Sequence, residues 1–263
     1  MKKIQLFLLA FLGYQFQMYA QVGIGVSNPN SNAVLELSSS SKGLLLSRVA
    51  LLATNNPSPL SAHVAGMAVY NTATNTSVAA NPVYPGEYYN DGTQWVRKIS
   101  ASETKMIAGG TITDQVPTTS VNIASNSVYS ESVLATVANF VLDKPSLVEF
   151  SANVSTDFTT NTDDPLTDGA VKMALTYFSF TNAPAGITTN TRFGNNSLSY
   201  TNSSSTGTVI SGYFYMAPRA TLNLPAGTYS VVLRGGGASS TAYKLTFGGG
   251  SYDNIQIKAT PLK

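Results

Sequence analysis

The sequence predicts an all-β protein in two parts, a small N-terminal β module followed by a C-terminal β-sandwich of the jelly-roll type. Turn-forming residues recur along the chain, as in Pro85-Gly86, Asn90-Asp91-Gly92 and Pro225-Ala226-Gly227. Between the turns lie short runs rich in Val, Ile, Thr, Tyr and Phe, which favour strands. The one stretch suited to a helix is Arg48 to Thr54, where RVALLAT would make a turn or two.

Residues 1–20 have the features of a secretory signal peptide. Lys2 and Lys3 precede an apolar run over residues 4–14, which is shorter than the about 20 residues needed to span a bilayer. We therefore expect a secreted protein, located extracellularly or on the outer cell surface, with the periplasm as the open alternative. We expect no transmembrane segment after the signal is cleaved.

The net charge and the absence of cysteine exclude several classes of function. The chain has 15 basic and 13 acidic residues, and loss of Lys2 and Lys3 with the signal leaves 13 of each. A neutral chain offers no basic patch for nucleic acid or anionic lipid. The chain has no cysteine, which excludes a disulfide, a thiol nucleophile and a lipidated cysteine.

Residues 21–98 form the predicted N-terminal attachment or oligomerisation module, and residues 99–125 follow as a linker with at most an edge strand. The module opens with a predicted strand, VGIGV, in which Gly23 and Gly25 lack side chains and so allow another backbone to approach closely. Left alone at a sheet edge, this apolar strand would expose unpaired amides. We predict self-association through this opening strand, with an internal strand of the module as the alternative. The predicted assembly residues are Val22, Gly23, Ile24 and Gly25.

Residues 126–263 form the predicted sandwich head, because strand patterns are densest there. Two apolar runs flank the turn Asp143 to Ser146, and two more flank Pro225 to Gly227. In the last strand, Ile255 and Ile257 alternate with polar residues, which indicates one buried face and one solvated face.

Two stretches resemble known families. The stretches that carry the first resemblance are Val22 to Pro29, Ala33 to Leu37, Lys42-Gly43, Arg48, Gly66 to Thr72 and Gly92 to Trp95. Together they resemble a module with a VGIG-x-x-x-P opening and a closing G-x-x-W, found at the mature N-terminus of many secreted surface proteins of the Bacteroidetes. This resemblance implies an extracellular, fibre-like or surface-attached setting and no assigned reaction.

The second resemblance concerns the head. FVLDKPSLVEFSANV and LNLPAGTYSVVLRG resemble jelly-roll domains of the C1q and tumour-necrosis-factor type and the heads of phage-like fibres. The resemblance implies a trimeric binding head.

One segment is rich in carboxylates, namely Asp157, Asp163, Asp164 and Asp168. Their spacing departs from the EF-hand pattern, because Pro165 stands where an oxygen ligand is needed. A solvated loop, a site for calcium or another hard cation, and the carboxylate pair of a glycosidase remain as alternatives. No other cofactor is predicted.

Other polar and aromatic residues favour binding over catalysis. His63 is the only histidine and no Gly-x-Ser-x-Gly elbow accompanies it, so we expect no enzyme. Tyr213 and Tyr215 alternate with Phe214, and exposed rings there would stack on a sugar; packing in the core or at a subunit interface is the alternative.

The function expected from the sequence is therefore a non-enzymatic secreted or cell-surface binding or adhesion protein. As a homotrimer it would present several heads to a cell-surface glycan or protein, and avidity would compensate for weak single sites. The alternatives are a carbohydrate-binding, calcium-stabilised sandwich and an extracellular glycan-cleaving enzyme that uses the Asp157 to Asp168 loop.

Overall fold

The computed structural model describes residues 21–110, 114–126, 128–203 and 209–262 of the 263-residue chain. The predicted signal peptide, residues 1–20, lies outside the described residues. The described residues form strands and one short 3-10 turn at Ala101–Glu103. This confirms the predicted all-β class, and no helix among the described residues is long and apolar enough to cross a membrane.

The N-terminal part contains two small sheets. Its strands are β1 Val22–Ile24, β2 Leu35–Leu37, β3 Arg48–Val49, β4 Ala68–Asn71, β5 Gly86–Asn90 and β6 Trp95–Arg97. Strands β1 and β2 form a parallel pair, and β3 to β6 form a four-stranded sheet in chain order. In that sheet β3 runs parallel to β4, and the other pairs are antiparallel.

Asn71 organises the core of this four-stranded sheet. Its side-chain oxygen accepts hydrogen bonds from the amides of Leu51 and Ala73, and its side-chain nitrogen donates to the carbonyls of Ala73 and Tyr84. Four hydrogen bonds satisfy the fully buried amide. The apolar residues packed around it are Leu51, Val69, Val83, Tyr88 and Trp95.

The helix predicted over Arg48 to Thr54 is wrong. Strand β3 occupies its start, and the amides that a helix would use have other partners. The Leu51 amide donates to Asn71, and the Thr54 amide donates to the carbonyl of Asn81. Tertiary hydrogen bonds therefore override a weak local preference.

The C-terminal part is a sandwich of two sheets. Its strands are β7 Lys105–Ala108, β8 Thr119–Ile123, β9 Ser130–Leu142, β10 Ser146–Thr159, β11 Lys172–Asn182, β12 Phe193–Tyr200, β13 Phe214–Met216, β14 Arg219–Leu224, β15 Gly227–Ser239, β16 Tyr243–Phe247 and β17 Asn254–Pro261. One sheet has seven strands in the order β7-β17-β10-β16-β8, with β13 and β14 also paired to β10. The other has four strands in the order β12-β11-β15-β9.

The chain passes repeatedly between the two sheets, which gives the predicted jelly-roll-like sandwich. Strand β10 is long enough to have two sets of neighbours. Its first half pairs with β14 and β17, and its second half pairs with β13 and β16.

Aromatic rings from both sheets fill the sandwich. Phe150 on β10 contacts Phe178, Phe180 and Phe193, with ring centroids 5.1 to 5.8 Å apart. The glycine run in the middle of β15 makes room for large side chains, because a Cβ at Gly235 would meet the ring of Phe247 at 2.9 Å. The run is therefore a packing device in a central strand.

The segment 99–125, predicted as a linker with at most an edge strand, contributes to the sandwich. Strand β7 lies at one edge of the seven-stranded sheet and β8 at the other. Val121 and Ile123 on β8 are buried in the core. Strand β8 pairs along its whole length with β16, so this segment belongs to the head.

Candidate assembly interface and head surfaces

The two glycines of the opening motif pack against the chain itself. Gly25 has a φ of +78°, and a Cβ there would overlap the carbonyl oxygen of Ser38. A Cβ at Gly23 would overlap the ring of Pro29. The glycines therefore allow β1 to lie against the turn and strand that follow it, rather than against a second chain.

The apolar side chains of the same motif point to solvent. Val22 pairs with Leu35 and Ile24 with Leu37 in the parallel register, which places all four side chains on one face. All four are exposed, Ile24 to 59%. On the other face Glu36 accepts a hydrogen bond from the amide of Asn30.

The exposed apolar surface extends along the segment 21–47, here called the assembly segment. Leu45 is exposed to 76%, and Val34 and Leu44 are also exposed. A groove of about 650 Å³ separates the β1–β2 pair from Leu44 and Leu45. Only Glu36 and Lys42 carry charge in this segment.

A two-stranded pair of this kind is marginal by itself in water. Full burial of an apolar side chain stabilises by about 1.5–3 kcal/mol, so covering a half-exposed one contributes roughly 1 kcal/mol. Contiguous exposed apolar surface marks an interaction site. The assembly segment therefore has the composition and exposure of an interface.

A salt-bridge network joins the N-terminal module to the head. Glu103 binds Arg97 at the end of β6 at 2.8 Å and Lys144 in the β9–β10 turn at 2.8 Å. Lys144 also lies 5.4 Å from the ring centre of Tyr84. Burial opposes ionisation of Glu103, but the hydrogen bonds from Lys144 and Arg97 outweigh it and lower its pKa to about 2.

Tyr213 and Tyr215 lie exposed at the β13 end of the seven-stranded sheet, at 48% and 52%. They flank the glycine turn 248–250, because a Cβ at Gly249 would meet the Tyr213 ring and one at Gly250 would meet the Tyr215 hydroxyl. Tyr252, exposed to 74%, follows the same turn. The rings predicted as stacking candidates thus lie on the surface together with a third ring.

A buried carboxylate fixes this glycine turn. Asp253 is fully buried and accepts hydrogen bonds from the amide and hydroxyl of Ser155 and from the amide of Gly250. The Ser155 hydroxyl in turn accepts from the Gly250 amide at 2.7 Å. The backbone beneath the tyrosines is therefore held rigidly.

The carboxylates of the predicted cation loop are drawn to separate partners. Asp163 pairs with Lys244, and Asp168 pairs with the fully buried Lys172. Asp164 accepts a hydrogen bond from the Thr162 hydroxyl at 2.8 Å, and Asp157 accepts from the Phe158 amide at 2.8 Å. No group of three or more metal-ligating residues forms among the residues the structure describes.

His63 has a structural position. Its Nδ1 atom lies 2.9 Å from the side-chain nitrogen of Asn90, and its Nε2 atom lies 3.3 Å from the carbonyl oxygen of Asn55. The ring contacts Trp95 edge-on at 6.5 Å. These contacts occupy both ring nitrogens in holding a loop against the module core.

The sequence prediction missed some residues of the assembly segment and of the tyrosine surface at the glycine turn. Leu35 and Leu37 alternate with Glu36, and Leu44 and Leu45 follow the serine tract. That alternation could have identified the exposed face, but not that none of the residues described in the structure covers it. Tyr252 follows the second glycine run after one serine, and its sharing of this turn with Tyr213 depends on how the chain folds.

Comparison with known proteins gives one family similarity. Residues 23–128 match the model of a family described as the phage tail like trimerisation region. The match contains the β1–β2 pair from Gly23 onward and the four-stranded sheet of strands β3 to β6. No curated protein matches the chain.

Several solved structures of infectious bursal disease virus show a distant likeness. The Gx strain structure has 10% identity and a TM-score of 0.34, covering 80% of this chain and 54% of the viral chain. The Gt strain structure has 11% identity and a TM-score of 0.31, covering 69% and 47%. This chain thus spans about half the length of the viral chains, and a likeness of this degree carries no argument.

The architecture and the family similarity together support a class of protein. The chain is an all-β protein whose N-terminal part is similar to a trimerisation region, and this supports a homo-oligomeric, fibre-like structural protein.

Proposed function

We propose that the protein is a secreted, non-enzymatic binding or adhesion protein that works as a homotrimer. The assembly segment would join three copies, and the C-terminal sandwich would be the binding head. The observation that carries the proposal is the exposed apolar face of Val22, Ile24, Leu35 and Leu37. Ile24, Leu35 and Leu37 of this face lie within the segment similar to a trimerisation region, which supports a second and third copy of the chain as what covers the face.

Trimerisation would give the head its function. Three heads on one assembly bind a repetitive surface several times over, so weak single sites add up to strong attachment. The neutral, cysteine-free composition and the predicted signal peptide support an extracellular or outer-surface location, as does the resemblance to secreted Bacteroidetes modules.

The test is the solution mass of the purified protein by light scattering. We expect three times the mass of one chain for the wild type, and a monomer for the double variant Ile24→Asp, Leu37→Asp, because charges would have to be buried at the interface. The matched control Val171→Asp, at an exposed apolar position on the head, should stay trimeric. A monomeric wild type, or a trimeric double variant, would refute the proposal.

A carbohydrate-binding head is the second candidate function, favoured by the three exposed tyrosines around a rigid glycine turn. Nitration of Tyr213 and Tyr215 in the intact protein separates this function from a subunit contact. Rings that react freely in the assembled protein are available to a sugar. Rings that react only after the Ile24→Asp, Leu37→Asp variant dissociates belong to the interface.

Calcium stabilisation of the head is a separate matter. The lysine partners of Asp163 and Asp168 compete with a cation for these carboxylates. A thermal midpoint that rises with added calcium, and falls back with a chelator, would support a calcium-stabilised head. An unchanged midpoint would count against it.

A further inference from the structure

A polar and aromatic cluster lies on the outward face of the four-stranded sheet of the head, which has the order β12-β11-β15-β9. Its five members are Tyr129 just before β9, Glu131 near the start of β9, Tyr177 on β11, Arg192 just before β12 and Arg234 on β15. Pairing of Tyr177 with Arg234, and of Gly236 with Glu131, brings these distant parts of the chain together.

Glu131 is shared by three donors. The Tyr177 hydroxyl donates to it, Arg234 lies 3.3 Å from it, and Arg192 lies 3.5 Å from it. Gly236 leaves the space between β9 and β11 open, so the carboxylate reaches across β15 to the tyrosine. One carboxylate therefore balances two guanidinium groups, each of which contacts it through a single nitrogen.

Arg192 is held in a fixed orientation. Its guanidinium carbon lies 4.4 Å from the ring centre of Tyr129 and 4.6 Å from that of Tyr177. Cation–π contacts on two rings restrict the side chain before any ligand arrives, which lowers the entropy lost on binding. The Arg192 side chain is still 42% exposed.

The cluster carries one net positive charge. Burial raises the pKa of both Tyr129 and Tyr177, so the two phenols stay neutral and only Glu131 opposes the arginines. A planar guanidinium with unused donors matches the two oxygens of a carboxylate. A single net charge suits one carboxylate and not a polyanion.

The surroundings indicate what carries that carboxylate. Ser197 and Ser199 on β12 lie opposite Leu175 and Met173, so their hydroxyls extend the outward face beside the cluster. Both serines are exposed. Exposed hydroxyl groups beside an exposed guanidinium are suited to hydrogen bonding with the hydroxyls of a sugar.

We propose that this cluster binds the carboxylate of an acidic oligosaccharide, with Arg192 as the principal contact and Arg234 as the second. Glu131 and the tyrosines are positioning residues that hold the arginines. The inference rests on the proposed binding role of the head and names its ligand class, but it does not depend on trimerisation.

The test is calorimetric titration of the full protein with a disaccharide that carries one glucuronic acid. We expect binding that weakens as salt is raised, and at least a tenfold weaker affinity in Arg192→Gln. Arg192→Lys should also lose affinity, because it keeps the charge but not the planar fork. The control Arg219→Gln, at an exposed arginine on the other sheet, should bind as the wild type does.

Other ligands in the same experiment identify the source of the carboxylate. The methyl ester of the disaccharide should not bind, and acetate should bind far more weakly than the disaccharide. No binding by the wild type, equal binding of the ester, equal loss in Arg219→Gln, or stronger binding of a peptide with a free C-terminus would overturn the proposal. Light scattering on the same samples shows separately whether trimer assembly, and with it the proposed function, has failed.

Discussion

The assembly segment and the head use apolar residues in opposite ways. In the head, β10 and its neighbours alternate regularly, with Phe150 and Phe158 inside and Glu149 and Asp157 outside. In the β1–β2 pair the same alternation leaves the apolar side chains in solvent. A jelly roll can close over its apolar face because two sheets come from one chain, whereas a two-stranded pair has no second layer.

This difference in burial indicates which part of the chain is expected to fold by itself. The head buries its core within a single chain, so it is expected to fold as a unit. Under the proposed function, other copies of the chain cover the assembly segment, so its stability is expected to depend on protein concentration.

The largest effect is expected from a cavity in the head. Phe150→Ala removes a ring that contacts three other rings and should lower the free energy of unfolding by about 3–5 kcal/mol. Thermal unfolding followed by near-UV circular dichroism measures this loss. Thr221→Ala on the outward face of the neighbouring strand should stay within about 0.5 kcal/mol of the wild type.

The next largest effect tests the core of the N-terminal module. Asn71→Ala leaves the Leu51 amide and the Tyr84 carbonyl without partners, at about 1–3 kcal/mol for each buried group. Trp95 is the only tryptophan and is buried in this module, so its fluorescence in urea reports on the module. The exposed control Thr74→Ala should leave the midpoint in place.

If Asn71→Ala shifted the unfolding of the head by the same amount, the two parts would unfold as one. The comparison between a self-contained head and a separate module would then be wrong.

A smaller effect on stability, with a large effect on assembly, is expected at Gly25. Gly25→Ala must take a positive φ and displaces Ser38, which costs roughly 1–3 kcal/mol and separates β1 from β2. We expect dissociation of the trimer by light scattering while the thermal transition of the head stays unchanged. Gly43→Ala is the matched control, because no atom lies within 4 Å of where its Cβ would stand. A trimeric Gly25→Ala would show that the β1–β2 pair is dispensable for assembly.

The smallest effect concerns the joint between the two parts. The pKa of Glu103 falls from 4.5 to about 2 on folding, so its contribution is complete above pH 4.5 and is lost as the pH falls towards 2. The thermal midpoint of Glu103→Gln should therefore depend less on pH than that of the wild type in this window. The control Glu87→Gln, in an exposed pair with Lys98, should follow the wild type. Identical pH profiles for wild type and Glu103→Gln would show that the joint adds no stability.

The sequence by itself determined the strand-rich class, the two-part organisation and the inward and outward faces of the long strands. These features are written in neighbouring residues, as turn-forming glycines and prolines and as the two-residue alternation around Phe150 or Ile255.

Only the tertiary structure decided which faces stay uncovered and which distant residues meet. Glu131, Tyr177, Arg192 and Arg234 lie on four separate parts of the chain; strand pairing brings three of them together, and Arg192 joins them from the loop before β12. The pairing of Asp163 with Lys244 and the partnership of Asp253 with Ser155 likewise depend on long-range register. Local preferences specify strands and turns, but register and layer closure are set by the sum of packing across the whole chain, which no short stretch of sequence contains.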